Sequence, residues 1–401
     1  MTALASPLVA LLAFALIALS APARADSDRD RDRDDDDGGQ PNIELTWMSI
    51  ANWYFRFGNL RLVMDGYFTR VPPPPFFFGG GGGLKNTIGP WSVHLPNVLR
   101  VWQAFDAGGR LDYLLAGHSH FDHTYDTATW SALTAAPIIS GLSTCLQAQA
   151  EGLPASQCIN VKGGERMRLS SEVTMYVVRW NHSGNPATNP EQHNPVELKS
   201  VPVPDPATGG LRAGVGEDFP NGGGGRMYLF TIGHGTRRLS FFVNNSASAI
   251  DLRHVDGGDI VVDGVNYGAP LENLKKAMEA AHLDSVDLWI GTGGIAVAQL
   301  VVPVLKPRAY IPNHWDGLYA PFFKGLPLPY RDLNLTAYLA AQGIPILPQT
   351  QYFDKYVLDR NGVAKVPNTA QKAKLGFPDV QPFPVAASRA AVQETTSNDC
   401  E

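Results

Sequence analysis

Four candidate metal ligands fall within one short run of the chain, His118-Ser119-His120-Phe121-Asp122-His123. Imidazole and carboxylate groups are typical ligands of divalent zinc. The spacing can point alternate side chains at one place and the remaining two at an adjacent place. Because buried imidazoles and carboxylates need partners, such a density rarely arises from core packing. The run therefore predicts a metal site in preference to a hydrogen-bonded polar turn.

Candidate ligands also recur where predicted strands end. Four predicted strands lead to such residues. The strand at 111–115 leads to Gly117 and the run, and the strand at 173–180 leads to His182. The strand at 239–243 leads to Asn244-Asn245, and the strand at 309–311 to Pro312-Asn313-His314. Loops at the ends of strands can be shaped without disturbing the core, and functional residues therefore concentrate there. The pattern predicts that a sheet edge carries the site.

The other predicted elements mix strands and helices. Strands are predicted at 43–50, 59–64, 226–232 and 287–290, helices at 96–104, 270–282 and 296–305, and a hairpin at 356–366. The helix at 270–282 has Pro at its first position and an apolar face at helical spacing. The 40 glycines and 31 prolines favour a sheet-rich protein over a helical bundle.

The run from His118 to His123 resembles the signature of the metallo-β-lactamase superfamily, and the later landmarks follow the family's order over residues 42–350. The resemblance implies an α+β fold, a four-layer αββα sandwich. It implies one metal site made by His118, His120 and His182, and a second made by Asp122, His123 and His314. It also implies that Asp65, after the second strand, supports the metal loop. The stretch 300–317 resembles the branch of lactone and phosphodiester hydrolases.

Two choices among candidate ligands follow. His182 is preferred to His193, because His193 lies in a loop rich in Pro and Asn. The family usually has an Asp that bridges both metals after the strand 239–243, where this chain has Asn244 and Asn245. We keep Asn245 as a candidate metal ligand, but its neutral amide is a poorer ligand than a carboxylate. The second site is therefore expected to bind metal weakly or not at all, unless Asp251 substitutes.

The expected activity is hydrolysis with one or two zinc ions, or another divalent metal. A zinc-bound water has its pKa lowered to about 7 and supplies a hydroxide that attacks carbon or phosphorus. By the resemblance, Asp122 orients the nucleophile or carries its proton. The substrate is expected to be a small ester, lactone or phosphodiester. A β-lactamase, and an inactive metal- or ligand-binding protein on the same fold, stay open as alternatives. The sequence contains no G-x-S-x-G, H-E-x-x-H or P-loop motif.

The two ends of the chain differ in composition from its middle. Residues 1–25 read as a signal peptide with an Ala-Arg-Ala cleavage site, which predicts a periplasmic or secreted protein without a membrane segment after cleavage. Residues 26–41 form an acidic linker that is expected to be disordered. Residues 42–350 are the expected catalytic domain, and 351–401 a C-terminal hairpin and polar tail. The net charge of -6 and the lack of basic patches argue against nucleic acid as a partner. The oligomeric state stays open.

Two further features leave alternatives open. Cys145 and Cys158 either form a disulfide or remain a free buried thiol pair, and Cys400 is left over. Residues 72–83 comprise four prolines, three phenylalanines and five glycines. This segment is expected to project as a loop that serves as a lid, contacts a membrane or partner, or packs on the protein's own surface.

Overall fold

The computed structural model describes residues 43–71, 90–105, 110–185, 187, 194–212, 224–235 and 238–383. The predicted signal peptide, the acidic linker and the loop at 72–83 lie outside the described residues. So do His193 and the end of the chain from residue 384 onward.

Eighteen strands and eight helices occur in the described part of the chain. The strands are β1 Ile43–Ser49, β2 Asn52–Phe57, β3 Leu60–Met64, β4 Pro90–Trp91, β5 Tyr113–Leu115, β6 Ile138–Ser140, β7 Cys158–Asn160, β8 Arg166–Arg168, β9 Val173–Trp180, β10 Leu211–Arg212, β11 Gly225–Ile232, β12 Leu239–Val243, β13 Val261–Val262, β14 Val265–Asn266, β15 Leu288–Gly291, β16 Tyr310–Pro312, β17 Asp354–Asp359 and β18 Gly362–Val366. The helices are α1 Leu95–Phe105, α2 Phe121–Thr124, α3 Thr127–Thr134, α4 Leu142–Ala150, α5 Pro270–Ala280, α6 Ile295–Leu305, α7 Leu333–Ala341 and α8 Thr369–Leu375.

The main strands form two mixed sheets. The first sheet has eight strands in the order β18-β17-β1-β2-β3-β5-β6-β7, and the second has six in the order β16-β15-β12-β11-β9-β8. In the first sheet β3, β5, β6 and β7 run parallel, and in the second β12, β15 and β16 do. Parallel neighbours end at the same edge, so each sheet presents a set of carboxyl ends there.

The two sheets pack face to face through aromatic side chains. Alternate residues of a strand share a face, so Phe55 and Phe57 of β2 point the same way. They contact Phe230 and Phe241 of the second sheet, with ring centroids 5.5 to 6.0 Å apart. Tyr54 points to the other face of β2. This arrangement places the main core between the sheets.

Helices cover the outer faces of both sheets. Tyr54 stacks on Phe105 of α1, with ring centroids 4.3 Å apart. On the second sheet, Phe242 and Leu229 belong to a separate buried cluster with apolar residues of α5, α6 and α7. The layers are therefore helices, sheet, sheet and helices, and the predicted α+β fold with a four-layer αββα sandwich is confirmed.

The predicted C-terminal hairpin is present, but it belongs to the first sheet. Strand β17 pairs antiparallel with β1, with Leu358 opposite Ile43. After the hairpin, α8 buries Leu375, and Phe377 follows it into the core. A short helix and buried apolar residues therefore follow the hairpin, and the expected division of the chain at residue 350 stays a prediction.

The sequence left open whether Cys145 and Cys158 are bonded to each other. Cys145 and Cys158 form a disulfide that ties α4 to β7. No helix among the described residues is both long enough and apolar enough to span a membrane.

Candidate metal centre

The ends of several strands meet at one edge of the sandwich. In the first sheet, β3 leads to Asp65 and its parallel neighbour β5 leads to the run that starts at His118. In the second sheet, β12 leads to Asn245 and β16 to His314. Strand β11 is antiparallel to both β9 and β12, so β9 also ends at this edge and delivers His182 there. The topology thus collects residues that lie up to 249 positions apart in the sequence, from Asp65 to His314.

The side chains form two groups that could each hold a metal ion. The three-histidine set consists of His118, His120 and His182, and the mixed set of Asp122, His123 and His314. Within each set, ligand atoms of the three side chains lie within 4.8 Å of one another. The rings of His118 and His123 are 4.0 Å apart between centroids, so the two sets are adjacent. The structure brings together the six residues that the sequence assigned to two sites.

Hydrogen bonds fix the orientation of His118. The Asp65 carboxylate can only accept, so the group facing it at 2.9 Å is the Asn245 Nδ2 amide, which donates. The Asn245 Oδ1 atom then accepts from His118 Nδ1 at 3.1 Å. His118 Nε2 is left as a lone pair, and it is buried without a hydrogen-bond partner among the described residues. An unpaired buried acceptor is unfavourable, and a metal ion would satisfy it.

Two histidines of the three-histidine set, His118 and His120, are held neutral, as metal ligation requires. Burial lowers the pKa of His118 well below its ordinary value, and burial lowers the pKa of His120 to about 4. His182 Nδ1 donates to the Ser183 carbonyl oxygen at 2.9 Å, which leaves Nε2 as the acceptor nitrogen. The donor chemistry of this set fits zinc.

The mixed set centres on one carboxylate oxygen. Asp122 Oδ2 lies 2.9 Å from His314 Nε2 and 3.1 Å from His123 Nε2. Burial opposes the charge on both Asp122 and His123. Even so, His123 holds the pKa of Asp122 well below its usual range, and the carboxylates of Asp122 and Asp65 raise the pKa of His123 to about 9. A cation bound here would take the place of the proton between these groups.

Asp65 supports both sets from behind. Its Oδ1 accepts from the Gly117 backbone N–H at 3.0 Å, and its Oδ2 accepts from His123 Nδ1 at 2.8 Å. A carboxylate that orients a ligand histidine in this way also raises its basicity. Asp65 therefore lies behind the metal loop, and its supporting role there stays a prediction.

The contacts of the Asn245 side chain differ from those expected of a metal ligand. Both atoms of its amide are used on protein groups, the oxygen on His118 and the nitrogen on Asp65. The side chain lies so close to Gly117 that a Cβ there would be 2.2 Å from Asn245 Nδ2. Asp251, the alternative ligand, is hydrogen-bonded to Asn181. The geometry favours a positioning role for Asn245 over ligation.

Two features of the site were not predicted from the sequence. Asp126 is buried, and its Oδ2 accepts from the backbone N–H of Thr69 at 2.8 Å, which fixes the loop after Asp65. Its place one helical turn after Asp122 was the available signal. The second feature is a cavity of about 520 Å³ that reaches the site at His314. Its walls come from loops distant in sequence, and no motif marks them.

Comparisons with known proteins give partial matches. A UPF0173 metal-dependent hydrolase of Pyrobaculum islandicum is 30% identical over 143 residues, which cover 36% of this chain and 52% of that protein. One of Pyrobaculum neutrophilum is 30% identical over 103 residues, or 25% of this chain and 44% of the relative. The chain therefore spans about half the length of the curated relatives it matches. No protein-family model matches the sequence.

Solved structures give weaker likenesses. Igni18, a metallo hydrolase of Ignicoccus hospitalis, has a TM-score of 0.44 and 12% identity, and covers 79% of this chain and 99% of its own. The metallo-β-lactamase fold protein YhfI of Bacillus subtilis has a TM-score of 0.39 and 10% identity, with 79% and 100% covered. The likenesses agree with what the chain itself shows, four layers with two candidate ligand sets at one edge. This is the arrangement that the resemblance to the metallo-β-lactamase superfamily implies.

Proposed function

We propose that this chain is a metal-dependent hydrolase that acts on an ester, lactone or phosphodiester with one or two zinc ions. The observation that carries the proposal is the pair of adjacent ligand sets, in which His118 Nε2 is buried without a hydrogen-bond partner among the described residues. The similarity to proteins named metal-dependent hydrolases supports it over part of the chain.

The metal would be held by His118, His120 and His182, and a second ion by the mixed set. When bound, it would lower the pKa of a water molecule and polarise the oxygen of the scissile carbonyl or phosphoryl group. Because one imidazole of each set is oriented from behind by Asp65 or Asn245, the ligands would be preorganised.

Asp122 is the residue we assign to proton handling. Its pKa is held low by His123, although burial raises it, so the carboxylate is ionised at neutral pH. Its Oδ2 would accept the proton of the attacking water and return it to the leaving group. His123 and His314, at 3.1 and 2.9 Å from this oxygen, hold it in place.

The test is to replace His120 with Ala and to measure metal content and turnover together. After chelator washing and zinc reloading, His120→Ala is expected to lose the metal of the three-histidine set and all measurable hydrolysis. The matched control is His254→Ala, because His254 is exposed and pairs with Asp259 away from the site. Full turnover by His120→Ala would refute the proposal.

A non-catalytic binding protein is the second candidate, and the position of Asn245 favours it. The usual bridging carboxylate is absent, and the amide is directed to protein groups. Zinc binding without hydrolysis in a screen over esters, lactones, phosphodiesters and a chromogenic cephalosporin would favour this candidate. Turnover of the cephalosporin alone would instead identify a β-lactamase.

We also propose that the protein is exported to the periplasm or secreted. The predicted signal peptide motivates this, and the disulfide between Cys145 and Cys158 fits an oxidising compartment. Fractionation of cells expressing the full chain tests it, and a reduced cytoplasmic product that keeps residues 1–25 would overturn it.

A further inference from the structure

One cavity adjoins both ligand-bearing loops. It has a volume of about 520 Å³, within the usual range for pockets that bind small molecules. On one side it is lined by Gly184 and Asn185, which follow His182. On the other side it is lined by His314 and Trp315. A molecule in this cavity would therefore lie beside the mixed set.

The wall of the cavity is more apolar than polar. Aliphatic side chains from three separate segments contribute to it, namely Ala249, Ile250, Val297, Leu328 and Leu335. A wall of this kind stabilises an apolar group by removing it from water. The cavity is suited to an acyl or aryl group of medium size.

The charges around the cavity do not select an anion. Apart from His314, the side chains that line it among the described residues and carry a charge are the neighbours Arg331 and Asp332, which have opposite charge. Asp332 also accepts from the Leu335 backbone N–H at the start of α7, at 2.8 Å. Phosphate groups are usually bound by an excess of Arg or Lys, and the cavity lacks that excess.

We infer that this cavity binds the apolar group of an uncharged ester or lactone. The inference rests on the proposed function, and it selects carboxylic esters and lactones over phosphodiesters. It makes the cavity wall the part of the molecule that determines specificity.

The first experiment measures binding without turnover. Nonan-2-one, a ketone that cannot be hydrolysed, is titrated into the purified full chain by calorimetry. Ala296→Trp fills the cavity from the exposed first turn of α6, and Val255→Trp is the control at a site that is 79% exposed and outside the cavity. We expect wild type and the control to bind alike and Ala296→Trp to bind at least tenfold more weakly.

The second experiment measures hydrolysis by the zinc-loaded protein. The substrates are p-nitrophenyl acetate, butyrate and octanoate, together with bis(p-nitrophenyl) phosphate. We expect kcat/KM to rise with acyl length and to be lowest for the phosphodiester. Ala296→Trp is expected to lower kcat/KM for octanoate far more than for acetate.

The outcomes separate the two proposals. Preference for the phosphodiester, or a chain-length preference that survives Ala296→Trp, would overturn the cavity inference and leave a hydrolase. Ketone binding without hydrolysis of any substrate would overturn the proposed function and leave the cavity as an apolar binding site.

Discussion

Replacing Asp65 with Asn tests whether the carboxylate behind the site controls metal affinity. Asp65 is 2% exposed, and its Oδ2 accepts from both His123 Nδ1 and Asn245 Nδ2. In Asp65→Asn, one oxygen can still accept from Gly117, but an amide nitrogen then faces two donors. Loss of two hydrogen bonds to a charged group, each contributing about 1.5 to 3 kcal/mol, predicts a decrease of roughly 3 kcal/mol or more in the free energy of unfolding.

The effect on metal binding should be selective. Loss of the carboxylate that orients a ligand histidine typically weakens metal binding about 10- to 100-fold. We expect that loss for the mixed set, which contains His123, and a smaller one for the three-histidine set. Competition of zinc with a chromophoric chelator, with denaturant unfolding in parallel, measures both quantities.

Asp126→Asn is the matched control. Asp126 is also fully buried and accepts backbone hydrogen bonds, but these come from Phe68 and Thr69, which are not candidate ligands. This variant is expected to be less stable and to keep the zinc affinity of wild type. If Asp65→Asn also keeps that affinity, the assigned role of Asp65 is wrong.

Three further predictions concern the same site. Asn245→Asp places a second carboxylate against Asp65, where the amide of wild type lies 2.9 Å away. Because like charges repel, the melting temperature without metal should fall, and the rise in melting temperature on adding zinc should exceed that of wild type. An unchanged metal-free melting temperature would contradict this. Gly117→Ala would put a Cβ 2.2 Å from the Asn245 amide and should abolish zinc binding in whatever protein still folds, whereas Gly58→Ala, with open space around it, should cost only about 1 to 2 kcal/mol. The pKa of His123 is raised to about 9 from an ordinary value of 6.5, so its protonation stabilises the metal-free protein. This contribution is fully present below pH 6.5 and is lost as pH rises through about 9. Melting temperatures measured from pH 7 to 10 should therefore fall, and His123→Gln should make that fall smaller.

Much of the fold could be predicted because several elements carry clear local patterns. The alternating strand at 173–180 is found as β9 with the same bounds, and the Pro at position 270 begins α5 as expected. Strand β2 was missed. Only Ile50 and Ala51 separate it from β1, and this tight turn uses non-glycine residues at positive φ, Ser49 and Ile50. Turn signals based on Gly, Asn or Pro do not reveal such a connection.

The candidate ligands were predictable from residue type and from position after strands, and their division into two sets followed from the family resemblance. The role of Asn245 was not predictable. That role depends on contacts with His118 and Asp65, which lie 127 and 180 positions away in the sequence. The orientation of an amide follows from the donors and acceptors around it, which only the folded chain defines. The cavity was equally hidden, because the residues of its wall come from loops, helices and strand ends with no shared pattern.

The central claim is that the two sets at this sheet edge bind metal ions. Its most direct measurement is the zinc content of the purified full chain by mass spectrometry after chelator washing and reloading, for wild type and His118→Ala. We expect at least one tightly bound zinc in wild type. We expect His118→Ala to lose that zinc, because His118 Nε2 is a buried ligand atom without a hydrogen-bond partner among the described residues. Wild-type protein that retains no metal after exposure to excess zinc would contradict the claim.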